Sequence, residues 1–259
     1  MRPTSTYVLG LCGLLFLTAG CSVLRFLEEA AAPEREYYIH LEPVLPAGDE
    51  YYIDAIDSSV VWSQGGVQVK VRFFDDKMLD AAYDPRYSPY TLTGTDVKGF
   101  DYTPPLWTTF EVTVINRTRE RVEFDPTQVA LRTDGGEKYL CRQGVGQWHE
   151  KGEYYSYAYL KWSSEDGNTQ YHKALDRNPI FERSEYKREK PVRKGGRYSG
   201  IINFPALPME TQTITLDVAS FILAFDRFEV GYGNPTEFVD LKFEFIVDHG
   251  LRPVPEKQS

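Results

Sequence analysis

The sequence predicts an all-β protein: an antiparallel sandwich with a long irregular insertion and little helix. Three observations carry this. Apolar and polar residues alternate with period two through Val67–Phe73, Trp107–Ile115, Thr211–Val218 and Phe238–Asp248, the mark of half-buried strands. Turn residues punctuate these runs, at Gly65-Gly66, Asp125-Pro126 and Asp134-Gly135-Gly136. Helical periodicity is nearly missing, and many short strands with few helices are accommodated by two packed antiparallel sheets.

The chain of 259 residues is long enough to bury a core without disulfides. Its first segment, Met1–Gly20, has one early charge, Arg2, then the apolar run Leu9–Cys21 with small residues at its end. That order is a secretory signal. The run is shorter than the roughly 20 residues of a membrane span. Ser22–Pro46 reads as an extended tether punctuated by Pro33, Pro43 and Pro46. The sandwich body is placed at residues 47–248, with an insertion at about 142–196, and Leu251–Ser259 belongs to a polar tail covering 249–259.

Within the body, Tyr51–Ile56 and Val60–Trp62 are short apolar runs. Val67, Val69, Val71 and Phe73 then alternate with polar neighbours. Asp75–Pro105 reads as a packed loop rich in Pro and Tyr, with one helical turn near Lys77–Ala82. In Trp107–Ile115, Phe110, Val112 and Val114 share one face. Asn116–Glu120 is expected to close a hairpin into Arg121–Phe124, and Val129–Arg132 pairs Lys138–Cys141 across Asp134-Gly135-Gly136. The insertion contains a weak helix pattern at Tyr171–Asp176, ended by Pro179. Arg197–Phe204 returns to strand, Thr211–Val218 alternates and Phe221–Phe225 continues it as a buried run, and Leu241, Phe243, Phe245 and Val247 line the inner face of the last strand.

Leu17-Thr18-Ala19-Gly20-Cys21 resembles the lipobox of bacterial lipoproteins. The resemblance implies acylation of Cys21, cleavage just before it, and attachment to a membrane through two or more chains, which hold where one binds marginally. Ser22 in place of the family's retention aspartate implies the outer membrane. The span from Leu106 to Asp248 resembles the immunoglobulin-like, telokin-like domains of exported lipoproteins. It does so through Phe110–Asn116, Phe124-Asp125-Pro126, the Leu131…Asp134-Gly135…Tyr139 hairpin, Gly200…Phe204-Pro205 and Phe243-Glu244-Phe245. Those domains imply binding or packing rather than catalysis, and a fold alone carries no function.

Of three cysteines, Cys12 leaves with the signal and Cys21 is assigned to lipid, so Cys141 has no disulfide partner. Net charge is −9 for the whole chain and −10 without Arg2, which excludes nucleic acid as a partner on charge grounds. Two segments supply binding candidates. The insertion gathers Trp148, Tyr155, Tyr157, Tyr159 and Trp162; such rings stack on sugars or anchor protein interfaces, and equally pack an insertion onto its body. Arg183–Arg197 carries a local charge of +5, with Lys187, Arg188, Arg193 and Lys194 as candidate contacts for anionic lipid headgroups, lipopolysaccharide or an acidic partner, or as a solvated loop pairing with its own body.

Catalytic and metal readings are thin. Cys141 with His149 resembles a thiol and base, but the strand-like Tyr139-Leu140-Cys141 favours a buried, inert cysteine. His172 and Asp176 have metal-pair spacing without further ligands. Asp75, Asp76, Asp80 and Asp84 lack the glycine of a calcium loop. Asn116-Arg117-Thr118 matches a glycosylation acceptor and reads as a hairpin. The expectation is a non-enzymatic envelope lipoprotein without cofactor or metal, lipid-anchored at the bacterial outer membrane. Its body binds an envelope protein, or alternatively a cell-wall polysaccharide through the aromatic insertion. Labelled palmitate fed to producing cells is expected to enter the wild-type product, and the Cys21→Ser variant is expected to take up none.

Overall fold

A computed structural model describes residues 35–46, 48–93, 100–141, 179–226 and 233–254. Two five-stranded antiparallel sheets pack face to face. The first has the order β1 (Arg35–Val44), β12 (Pro235–Pro253), β11 (Thr213–Phe225), β7 (Val129–Thr133), β8 (Lys138–Leu140). The second runs β10 (Gly196–Pro205), β5 (Trp107–Asn116), β4 (Val67–Phe74), β3 (Val60–Gln64), β2 (Tyr51–Ile53). A short ribbon pairs β6 (Arg121–Val122) with β9 (Val192–Arg193). The chain changes sheet after β1, β5, β8 and β10, so neither sheet is a simple meander. The all-β antiparallel sandwich read from the sequence is the architecture of the chain.

Alternation builds the interface between the sheets. Val67, Val69 and Val71 on β4, Phe110, Val112 and Val114 on β5, and Leu241, Phe243, Phe245 and Val247 on β12 all point into one core. Aromatic pairs join the two layers. Phe110 meets Phe245 across the gap at 5.7 Å between ring centroids, Trp62 meets Phe221 at 6.1 Å, and Tyr51 meets Phe243 at 5.9 Å. Phe110 also touches Phe73 and Phe204 within its own sheet.

A second apolar cluster covers the outer face of β5 and β10. Leu79 from helix α1 (Asp76–Ala82), Tyr90, Leu92, Leu106 and Phe181 pack there with Trp107 and Ile201. Thr109 and Thr113, on the face of β5 opposite Phe110, are buried as well. Thr109 Oγ1 donates to Asn203 Oδ1 at 2.9 Å, and the Thr113 and Ser199 hydroxyls bond at 2.7 Å, which meets their hydrogen-bonding need under that cover.

Local chemistry sets the turns. Gly65 and Gly66, with φ of 56° and 84°, make the two-residue hairpin between β3 and β4, where both central residues need positive φ. Asp75 starts α1 by accepting from the Met78 backbone N–H at 2.8 Å. Asp125 caps the following 3-10 turn in the same way.

Several boundaries differ from the expected ones. Residues 35–44, assigned to a tether, form β1, paired along its whole length with β12. Pro43 misleads because an edge strand tolerates a residue without an N–H on its open side. Residues 249–253 of the expected polar tail complete β12 opposite β1. Thr213–Phe225 is one continuous strand. A bulge near Ser220 separates its halves, with the Ser220 N–H held by Asp240 at 2.8 Å. The hairpin from Asn116 into Arg121–Phe124 does not form. Both edges of β5 are taken by β4 and β10, so β6 pairs β9 instead. The C-terminal part of the expected insertion belongs to the body: residues 179–184 are helical, and Phe181, Tyr186 and Val192 are buried. Pro179, expected to end a helix, lies within this one.

Phe110→Ala removes the ring that joins three aromatic neighbours across two sheets. A loss of about 3–5 kcal/mol in unfolding free energy is expected in chemical denaturation.

Candidate functional site

Asn116, the last residue of β5, organises the end of the sandwich where the ribbon sits. Its side-chain amide donates to the Arg119 carbonyl at 2.8 Å and the Val192 carbonyl at 2.9 Å. Its Oδ1 accepts the N–H groups of Arg119 at 2.9 Å and Thr118 at 3.3 Å. One buried side chain thus ties the β5–β6 loop to β9 and uses all its hydrogen-bonding groups. Glycan attachment at this asparagine would break the whole set.

The tie brings β6 and β9 together so that Arg121 lies directly opposite Arg193. Like charges facing across a strand pair are unfavourable. Arg121 is partly relieved: its guanidinium lies 3.5 Å over the Phe225 ring, and its Nε is 3.2 Å from Glu123. Arg193 is exposed and has no carboxylate partner among the described residues. The two line a surface cavity of about 690 Å³ together with Lys190, Arg197, Tyr198 and Glu189. Lys190 sits 5.5 Å over the Tyr198 ring. Lys190, Arg193 and Arg197 therefore face one open space beside Glu189, with Arg121, held by Glu123 and Phe225, forming its wall on β6.

Such an arrangement suits carboxylates or other oxyanions. Arginine offers a planar fork that pairs an oxyanion bidentately, and an exposed cation cluster accelerates encounter with an acidic partner.

The predicted residues separate. Lys187 pairs with Glu185 at 3.4 Å and Arg188 with Asp125 at 3.0 Å, so both are spent on the body. Arg193 lines the cavity. Lys194 stands in the turn beside it, its N–H bonded to the Glu120 carbonyl at 3.2 Å. Arg121, Lys190 and Arg197 complete the cluster and are absent from the predicted contacts. Lys190 and Arg197 stand in the same basic run. Arg121 has no local signal, because its place follows from the β6–β9 pairing. Cys21, Trp148, Tyr155, Tyr157, Tyr159 and Trp162 lie outside the described residues, as do His149, His172 and Asp176.

The remaining candidates are engaged in structure. Asp75 caps α1, Asp80 accepts from the Thr91 hydroxyl at 2.6 Å, and Asp84 bonds Arg86 at 2.6 Å. Among the described residues no group of three His, Cys, Asp or Glu is placed to hold a metal, and no helix is long and apolar enough to cross a membrane. Cys141 keeps partial exposure as a residue, but its thiol is enclosed, and burial pushes it up to about 12. A thiol so protonated is a poor nucleophile.

No protein-family model and no curated protein matches the chain. Among solved structures, a secreted protein from Mycobacterium tuberculosis, MPT63, is matched at 13% identity and a TM-score of 0.27, over 65% of this chain and 91% of that one. At that score the likeness carries no argument.

Thiol chemistry offers a direct check. At pH 8 iodoacetamide is expected to leave Cys141 unmodified in the native protein and to alkylate it readily in denaturant. Native-state reactivity should rise only as pH approaches about 12.

Proposed function

We propose that the chain is a non-enzymatic lipoprotein of the bacterial envelope, attached to the outer membrane through Cys21. Its β-sandwich binds an acidic segment of a protein partner at the β6–β9 ribbon. The observation that carries the reading is the cavity faced by Lys190, Arg193 and Arg197, on a chain whose overall charge is −9. A net-negative protein that gathers cations on one rigid ribbon gains specificity for an acidic surface while repelling other acidic proteins.

The position of the ribbon supports the same reading. The described chain enters at Arg35, which pairs with Pro253. Lys77 at the head of α1 is 3.5 Å from Glu36, so the far ends of β4 and β12 meet there. Asn116, Val67 and Gly196 lie together at the other end of their sheet. A chain tethered from the Arg35 end therefore presents its ribbon away from the attachment.

Photo-crosslinking in cells tests this. A cross-linkable residue in place of Arg193 is expected to capture one envelope protein, whereas one in place of Asp217 on the open face of the first sheet captures none. The paired change Arg193→Glu and Arg197→Glu is expected to weaken that complex tenfold or more, about 1.4 kcal/mol per tenfold. Equal capture from both positions, or unchanged binding by the double variant, would sink the assignment.

A further inference from the structure

The loop between β2 and β3 shows the reverse of ordinary surface chemistry. Ile56 at its tip is 93% exposed. Its charges turn inward: Lys70 Nζ lies 2.6 Å from Asp54 and 2.8 Å from Asp57, and all three side chains are no more than a quarter exposed. The Lys70 hydrogen bond holds the Asp54 carboxyl below its ordinary range. The backbone is fixed as well. The Asp54 N–H donates to the Ser59 carbonyl at 2.9 Å, Ser58 N–H to the Asp54 carbonyl at 2.8 Å, and Ile56 N–H to Asp54 Oδ1 at 3.0 Å.

Single exposed apolar residues are common and need no explanation. Three further facts set this one apart. The loop is rigid and hides its acids. It lies at the Arg35 end, because Ile53 pairs Val60 and Val60 pairs Val71, from which β4 runs on toward α1. Other exposed apolar side chains share that end: Ile53 beside the loop, Phe100 next to the Asp101 that binds Arg35, and Met209 beyond Pro205.

We propose that this end of the sandwich rests on a phospholipid surface, with Ile56 inserted at the boundary between headgroups and acyl chains. The inference rests on acylation of Cys21. From Cys21 to Arg35 the chain reaches at most about 50 Å in any arrangement, so a lipid on Cys21 keeps the Arg35 end within that distance of the bilayer. A contact too weak to hold a free protein becomes effective once the tether supplies the local concentration. The acyl chains give the affinity; the loop sets which way the body points.

The test uses the full lipidated chain in vesicles of phosphatidylethanolamine and phosphatidylglycerol. An environment-sensitive fluorophore is attached at Ile56→Cys and, in a second sample, at Lys194→Cys on the ribbon. Cys141 is enclosed and Cys21 is acylated, so each probe occupies one site. The 56 probe is expected to emit at shorter wavelength and to be quenched by nitroxide-labelled phospholipids severalfold more than the 194 probe. A 56 probe that stays in water on vesicles, or shifts only when a protein partner is added, overturns the membrane contact. Intact mass separates the two failures. An acylated product with a water-exposed probe removes the docking alone, whereas a product without acyl chains removes the anchor and the docking with it.

Discussion

The contact on which the structure depends is the meeting of Phe110 and Phe245 between the two sheets. Phe110 stands on a central strand, with Phe73 and Phe204 beside it and Phe245 opposite. The strands that carry these rings are far apart in sequence. Their alternation therefore has to place every inward residue on the same side, because a slip of one residue would turn each ring toward water. Once that registry holds, both ends of the sandwich are fixed. The ribbon with its cations and the loop with its isoleucine sit at opposite ends of strands whose relative position the rings determine.

The inward faces were legible because period two is a local property. Val67, Val69, Val71, Phe110, Val112, Val114, Leu241, Phe243 and Phe245 are read as core from sequence alone and are buried. The turn at Gly65-Gly66 and the hairpin from β7 to β8 were legible for the same reason, since a two- or three-residue signal specifies them. What could not be read was pairing. Residues 35–44 look like a proline-marked linker until β12 is beside them. The second face of β5 looks wet until α1 and residues 179–184 cover it.

The candidate site follows the same division. Arg193 and Lys194 stand out as part of a dense basic run, and that density is visible in one dimension. Arg121 lies more than seventy residues away and joins them through the Asn116 amide, whose bond to Val192 is a tertiary fact. Conversely, Lys187 and Arg188 belong to the same run and are neutralised by Glu185 and Asp125. Charge density in sequence marks the neighbourhood of a site, and only packing decides which charges remain open.

The pairing of the first and last strands bears on how the molecule carries load. If the proposed anchor and partner hold the two ends, a pull entering at Arg35 and resisted at the ribbon acts along the strands. The ten-residue ladder between β1 and β12 then meets the pull in shear, its hydrogen bonds strained together rather than opened one after another. In that proposed arrangement the molecule is held by its long terminal seam in the direction where the seam resists best.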